Sequence, residues 1–265
     1  MKEILKNTLT IKHLWGGIIP LEMLGLWAIF QLVTGSAPDW WWIATFIGYV
    51  LTMMIGVGAG NHRLFSHRAF TTSKFAKRFI LFCGVISAQG SPILWAGVHR
   101  GGHHRYSDVD KDPHSPKDGF WHSYVLWMFK INEGDVNIRA IADLLKDDDI
   151  VFVHKHYSIL LWAIYGITAL ISLNLFFYLL VLPAFLTLQV FCIQTSLVHY
   201  KSLGYRNYNT GDDSVNSLWL FPLTQGEAWH NNHHGDSRNP NFGGRRWWEL
   251  DPTYWIIKLI RTKEK

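Results

Sequence analysis

The sequence predicts an all-α integral membrane fold: four transmembrane helices with a cytoplasmic helical cap. Three observations predict it. Of the 265 residues 49% are hydrophobic, with 14 Trp, 16 Phe and 10 Tyr, more apolar and aromatic than a soluble domain of this size requires. No Lys or Arg occurs between Lys12 and Arg63, nor between Lys155 and Lys201, and each gap holds two apolar stretches near the roughly 20 residues that cross a bilayer as helix. Eight of the 14 histidines fall in three short blocks, all outside those stretches.

Taken in order, the first expected span is 14–33, with Pro20 and Glu22 inside it. It is too long and too interrupted for a cleaved signal peptide and no small-residue cleavage site follows it, so it is read as a retained anchor. Glu22 faces a polar cavity or an interface, and the sequence does not choose between them. A tight turn over Thr34 to Asp39 leads into the second span, 40–60, where Trp40, Trp41 and Trp42 suit an interfacial aromatic belt or simple apolar bulk equally well. The segment 79–98 is uncharged and passes a length test for spanning, but crossing would put His62 and His67 on one side of the bilayer and His99, His103 and His104 on the other. With Gln89, Gly90, Ser91 and Pro92 at its middle, it is read as re-entrant or interfacial. The last spans are 157–174 and 175–198, broken near Ser172 to Asn174. Every Lys and Arg lies in the N-terminal tail, in 63–155 or from 201 onward, so the positive-inside rule places both termini and all histidine blocks in the cytoplasm. No repeat divides the chain, and 1–265 reads as a single multi-pass domain. Cys83 and Cys192 are isolated in apolar runs, which excludes a disulfide framework or thiolate metal site. The net charge of +5 comes with no nucleic-acid motif, so no nucleic acid partner is expected; the surrounding partner is membrane lipid.

The histidine blocks are His62 and His67 in HRLFSH, His99, His103 and His104 in HRGGHH, and His230, His233 and His234 in HNNHH. One histidine alone is usually a hydrogen-bonded core or surface residue. Three blocks on one membrane face are poorly explained that way, and neutral imidazole is a good transition-metal ligand. At about 100° per residue, His230, His233 and His234 share one side of a helix, as do His99 and His103. His62 and His67 would diverge by about 140°, so that block is expected at a helix end or a bulge, or serving two metals. Eight rings exceed one ion's ordinary needs, so the cap is expected to carry a histidine-rich di-metal site. Structural zinc would bring cysteines, and hydrolytic zinc uses three protein ligands. Soluble di-iron bundles need several glutamates, whereas Glu227 and His230 form only one Glu-x-x-His pair. Glu227 is either an orienting partner of the third block or a surface carboxylate.

With these blocks in place the chain resembles the membrane fatty acid desaturases of the delta-9 stearoyl-CoA and acyl-lipid type, from about residue 40 to the C-terminus. The resemblance is carried by HRLFSHRAF, HHRYSDVDKDPHS, GFWHSYVLWM, GYRNYNTGDDSVN and GEAWHNNHH. It implies a di-iron centre with the ligands His62, His67, His99, His103, His104, His199, His230, His233 and His234, and places His114 beside the site. His13, His122, His154 and His156 match no such position and are expected to be structural. The second block has three residues between His99 and His103 where the family has two, and the glycines Gly101 and Gly102 can form a compensating bulge. Thr195 stands where the family usually has an Asn that contacts a metal through water, and His199 to Gly204 is two residues longer than usual.

The resemblance further implies an oxidoreductase that uses O2 and two external electrons to put a cis double bond, at delta-9, into a saturated fatty acyl chain. The acyl carrier is left open among CoA, carrier protein and lipid. A separate donor, a ferredoxin or cytochrome b5-type protein with its reductase, would supply electrons. An apolar tunnel near Val57 and Ile193 would set the bond position, although plain helix packing explains each of those two residues as well. The competing readings are a membrane di-iron hydroxylase or ketolase, and a metal transporter. Transport is disfavoured because the histidines lie outside the spans, where a permeation path needs its ligands.

Overall fold

An uncharged stretch in lipid finds no water for its backbone groups, and a helix satisfies them internally. In the computed structural model, which describes residues 14–131 and 136–262, four helices are long and apolar enough to cross a membrane. They are α1 (Gly16–Val33), α2 (Trp41–Ser66), α5 (Asp148–Ile171) and α6 (Leu173–Leu197). Between them lie α3 (Lys74–Ile86) and α4 (Pro92–Val98), and after them α7 (His230–Gly235) and α8 (Pro252–Ile260). The described residues contain isolated β-bridges but no strand. The expectation for His13 lies outside the described residues.

Capping chemistry sets the helix ends. At the end of α1 the N–H groups of Gly35 and Ser36 donate to Leu32 and Gln31 carbonyls, with Gly35 at φ 70°, a left-handed position that favours glycine. Asp147 accepts from the N–H groups of Asp149 and Ile150 and starts α5 at residue 148, before the uncharged stretch that begins at 157. The Ser172 hydroxyl caps the return into α6.

Packing among the spans uses small residues, as helices in lipid must. Gly25 fits against Phe185, Gly48 against the Leu179 carbonyl and Pro183, and at Gly56 an added Cβ would lie 2.5 Å from the Cys83 carbonyl oxygen. Hydroxyls join the same faces: Thr52 meets Thr187 at 2.8 Å, and Thr45 donates to the Tyr178 carbonyl at 3.0 Å. Glu22 accepts from the Gln189 amide at 2.8 Å, so it is turned toward α6 rather than left alone. The opposite faces expose Phe30, Trp42, Phe46, Ile159, Ile167 and Leu170, the pattern of lipid-facing side chains.

Helices α3 and α4 form a hairpin that turns back at residues 87–91. His67 before it and His99 after it meet at 3.0 Å, so the segment goes out and returns on the same side. The turn needs left-handed backbone at Ala88 and Gly90 and exposes polar groups inside the bundle. Tyrosines of α5 satisfy them: Tyr157 accepts from Gly90 N–H at 3.0 Å, and Tyr165 donates to the Ile86 carbonyl at 2.8 Å. Helices α2 and α6 run in the same direction, and their C-terminal ends deliver residues 62–67 and 199 to one end of the bundle.

Candidate metal centre

Local winding decides where each imidazole points. The second half of α2, Val50–Ser66, is wound in wide turns, and His67 N–H donates to the His62 carbonyl five residues back. Such a turn brings residues five apart onto one face. The extra residue in the second block is absorbed in the same way, since His99–His103 is one wide turn closed by His104 N–H on the His99 carbonyl. The two glycines let that turn fit: a Cβ on Gly101 would sit 3.2 Å from Asn137, and one on Gly102 would sit 3.1 Å from Pro113. His199 follows the end of α6, and α7 presents His230, His233 and His234.

These nine rings converge in two adjacent groups able to hold a metal ion. His62, His67, His99, His104 and His233 form the first, and His103, His199, His230 and His234 the second; within each, the candidate ligand atoms lie within 4.8 Å of one another. Nε2 faces Nε2: His62 to His233 at 3.0 Å, His104 to His233 at 2.7 Å, His199 to His230 at 3.0 Å and His103 to His234 at 3.3 Å. Neutral imidazole has one N–H and one lone pair. Several ring nitrogens aimed at one point in a buried site could therefore share a cation. Burial, reinforced by neighbouring imidazoles, pushes His67, His99, His104, His230 and His233 well below the ordinary histidine range, and His234 down to about 4. Neutral rings are the form that ligates. His103 differs: burial is outweighed by Asp112, Asp108 and Asp212, which raise it, so a metal bound there would displace a proton.

Carboxylates fix the outer nitrogens. Nδ1 of His62 meets Glu227, that of His103 meets Asp112 at 3.0 Å, that of His199 meets Asp108 at 2.8 Å, and that of His234 meets Asp212 at 2.6 Å. A carboxylate on Nδ1 sets the tautomer that leaves Nε2 free for a metal. Burial works against ionising Asp108, Asp112, Asp212 and Glu227, but their histidine partners, and for Glu227 first the Arg63 charge, outweigh it and hold all four below the usual range. Arg63 is fully buried and donates to Glu227 at 2.8 Å, Asp251 at 2.7 Å and the Pro240 carbonyl at 2.8 Å, with Phe242 stacked 3.9 Å away. It ties α2 to the residues before α7 and to the start of α8. Asp108, Asp112 and Asp212 all lie in the motifs that carry the resemblance, but no spacing in the sequence marks them as partners of the histidines.

Two cavities meet at this cluster. A small space is lined by Val57, Phe191, Thr195 and histidines of both groups, among other residues. An apolar cavity shares His99, His114 and Phe191 with it and extends past Leu94, Trp95 and Leu188 to Trp127 and Ile131. His114 thus lies where the two spaces join, stacked 4.3 Å from His103, and burial pushes it down to about 3. The Thr195 hydroxyl donates to the Cys192 carbonyl. Gln194 also lines the small space; its amide donates to the Glu227 carbonyl and its oxygen has no partner. Val57 lines the small space, whereas Ile193 is not placed there and packs with Val198, Leu220 and Ala228. His122, His154 and His156 stand apart from both groups, against the Pro113 carbonyl, Ser91 and the Phe152 carbonyl.

The comparisons agree with this architecture. The family model for fatty acid desaturase matches residues 39–263. An sn-1 stearoyl-lipid 9-desaturase of Anabaena variabilis is 34% identical over 80% of this chain and 78% of its own length. A palmitoyl-monogalactosyldiacylglycerol delta-7 desaturase, chloroplastic, of Arabidopsis thaliana is 33% identical over 92% of this chain and 64% of its own. An acyl-CoA C20 Delta5-desaturase of Anemone leveillei is 33% identical over 88% of this chain and 74% of its own. With four apolar helices and a histidine-rich site at one end of them, the chain belongs to the fatty acid desaturase family of membrane oxidoreductases.

Proposed function

We propose that this protein inserts a cis double bond at delta-9 of a saturated fatty acyl chain, using O2 and two electrons at a di-iron centre held by the nine histidines. The observation that carries the proposal is the pair of imidazole groups standing at the end of an apolar cavity. The donor set fits iron: all nitrogen, with six of the rings held toward the neutral form by burial, and too numerous for one ion. When bound, the two irons would supply the oxidising power that no side chain has for an unactivated methylene. His62, His67, His99, His104 and His233 would hold one ion, and His103, His199, His230 and His234 the other. Asp108, Asp112, Asp212 and Glu227 orient four of those rings through Nδ1. The apolar cavity would align the acyl chain and exclude water, and Val57 would border the reacting carbons in the small space.

Delta-9 is supported by the motif resemblance and by the 9-desaturase relative. Charge distribution supports a cytoplasmic site with both termini on that side, within reach of a ferredoxin or cytochrome b5-type donor and its reductase. The test is expression in a host lacking its own desaturase, with mass spectrometry locating the double bond. Wild type should give a cis delta-9 monoenoic acid. His233→Ala, which removes the ring facing both His62 and His104, should give none. A hydroxylated product, or unchanged unsaturation in the variant, would overturn the assignment.

A further inference from the structure

The apolar cavity does not end blindly. Beside it a polar groove runs past Lys111, Lys130, Asp110 and Asn137, and the two spaces share Val98, Trp127 and Ile131. Among those three, Trp127 alone has a side-chain hydrogen-bonding group. Its indole Nε1 is buried and without a partner among the described residues, on the short turn Leu126–Phe129. A buried N–H left unpaired is costly, and a native site usually supplies its acceptor. Gln89 and His114 also have unpaired side-chain atoms on the apolar cavity, but neither lines the groove.

We infer that the Trp127 indole N–H donates a hydrogen bond to the acyl carbonyl oxygen of the substrate, ester or thioester, and so fixes how many methylenes lie between that carbonyl and the metal centre. This inference rests on the desaturase reading above. An acyl chain lying in the apolar cavity with its headgroup in the groove must pass Val98, Trp127 and Ile131. The carbonyl is the chain's first polar group, and it meets there a donor in need of an acceptor. The bond position is then counted from the carboxyl end, with Trp127 as the reference point, its ring 5.2 Å from that of His114 on the way to the metal centre.

Trp127→Phe removes the N–H and keeps most of the ring. With the wild type giving one bond position, the variant should give a mixture displaced by one or more carbons, and its KM should rise about fivefold, the loss of one neutral hydrogen bond. An ether-linked substrate, which has no carbonyl, should scatter in the same way on the wild-type enzyme and change no further with Trp127→Phe. A single unchanged bond position and unchanged KM in the variant, or a single unchanged position from the ether substrate, would overturn the inference. The ether result decides the matter if the variant fails to fold. Absence of any unsaturated product from the wild type would sink the desaturase reading instead.

Discussion

Replacing Asp108 by Asn removes one charge and almost no shape. Oδ2 of Asp108 accepts from His199 Nδ1 at 2.8 Å and from the Asp213 backbone N–H at 2.7 Å, while Oδ1 has no partner. An amide NH2 can therefore take the Oδ1 position, and both bonds survive as neutral ones. Hydrogen bonds to a charged acceptor contribute about 1.5–3 kcal/mol and neutral ones about 0.5–1.5. The difference, about 1–1.5 kcal/mol, corresponds to roughly a tenfold loss of metal affinity, at the low end of the ~10–100-fold typical for such orienting partners. His199 belongs only to the group with His103, His230 and His234. Metal content of detergent-solubilised protein, measured across a chelator titration, should show Asp108→Asn releasing one ion at about tenfold lower chelator and the other as in wild type. Asp108→Ala leaves two donors unpaired and should release that ion earlier still. If both ions leave together, or neither shifts, the division into two groups and the orienting role of Asp108 are wrong.

Two more perturbations probe the surroundings. Arg63→Met strands the Glu227 and Asp251 carboxylates inside the protein and should cost about 3–5 kcal/mol, the usual penalty for breaking a buried ion pair; thermal unfolding in detergent checks it, and an unchanged midpoint refutes it. Val57→Trp places a larger side chain against the small space, so the variant should accept only shorter acyl chains than wild type, read by gas chromatography of the products; the same chain-length profile would remove Val57 from the substrate path.

The sequence made some features visible and hid others for definable reasons. Gaps of 50 and 45 residues without Lys or Arg announce paired spans because lipid disfavours unpaired charge and backbone alike. The start of α5 at Asp148 was not legible from apolarity: Asp147 caps a helix whose first turns interleave Asp148, Asp149, His154, Lys155 and His156 with apolar residues, and a hydropathy argument sees only the later part. The 62–67 spacing pointed to a bulge or helix end, and wide turns answer it, as they do for the extra residue after His99. The aspartates escaped notice because carboxylates in turn-rich stretches read as solvated surface; only the tertiary fold sets Asp108 against His199, 91 residues away. On α6, Ile193 was named where Phe191 lines both cavities. Two residues on a helix are about 200° apart, so a small error of register points to the opposite side of the rod.

The five-ring group ends with His233, and the four-ring group includes both His230 and His234. Neither set is complete until translation has passed codon 234 and the preceding helices have been inserted. A stalled nascent chain exposes only partial, weaker sets of donors, so full metallation is expected as a late step of biogenesis. Cells short of the ion would then accumulate a membrane-inserted but unloaded precursor rather than arrested ribosomes.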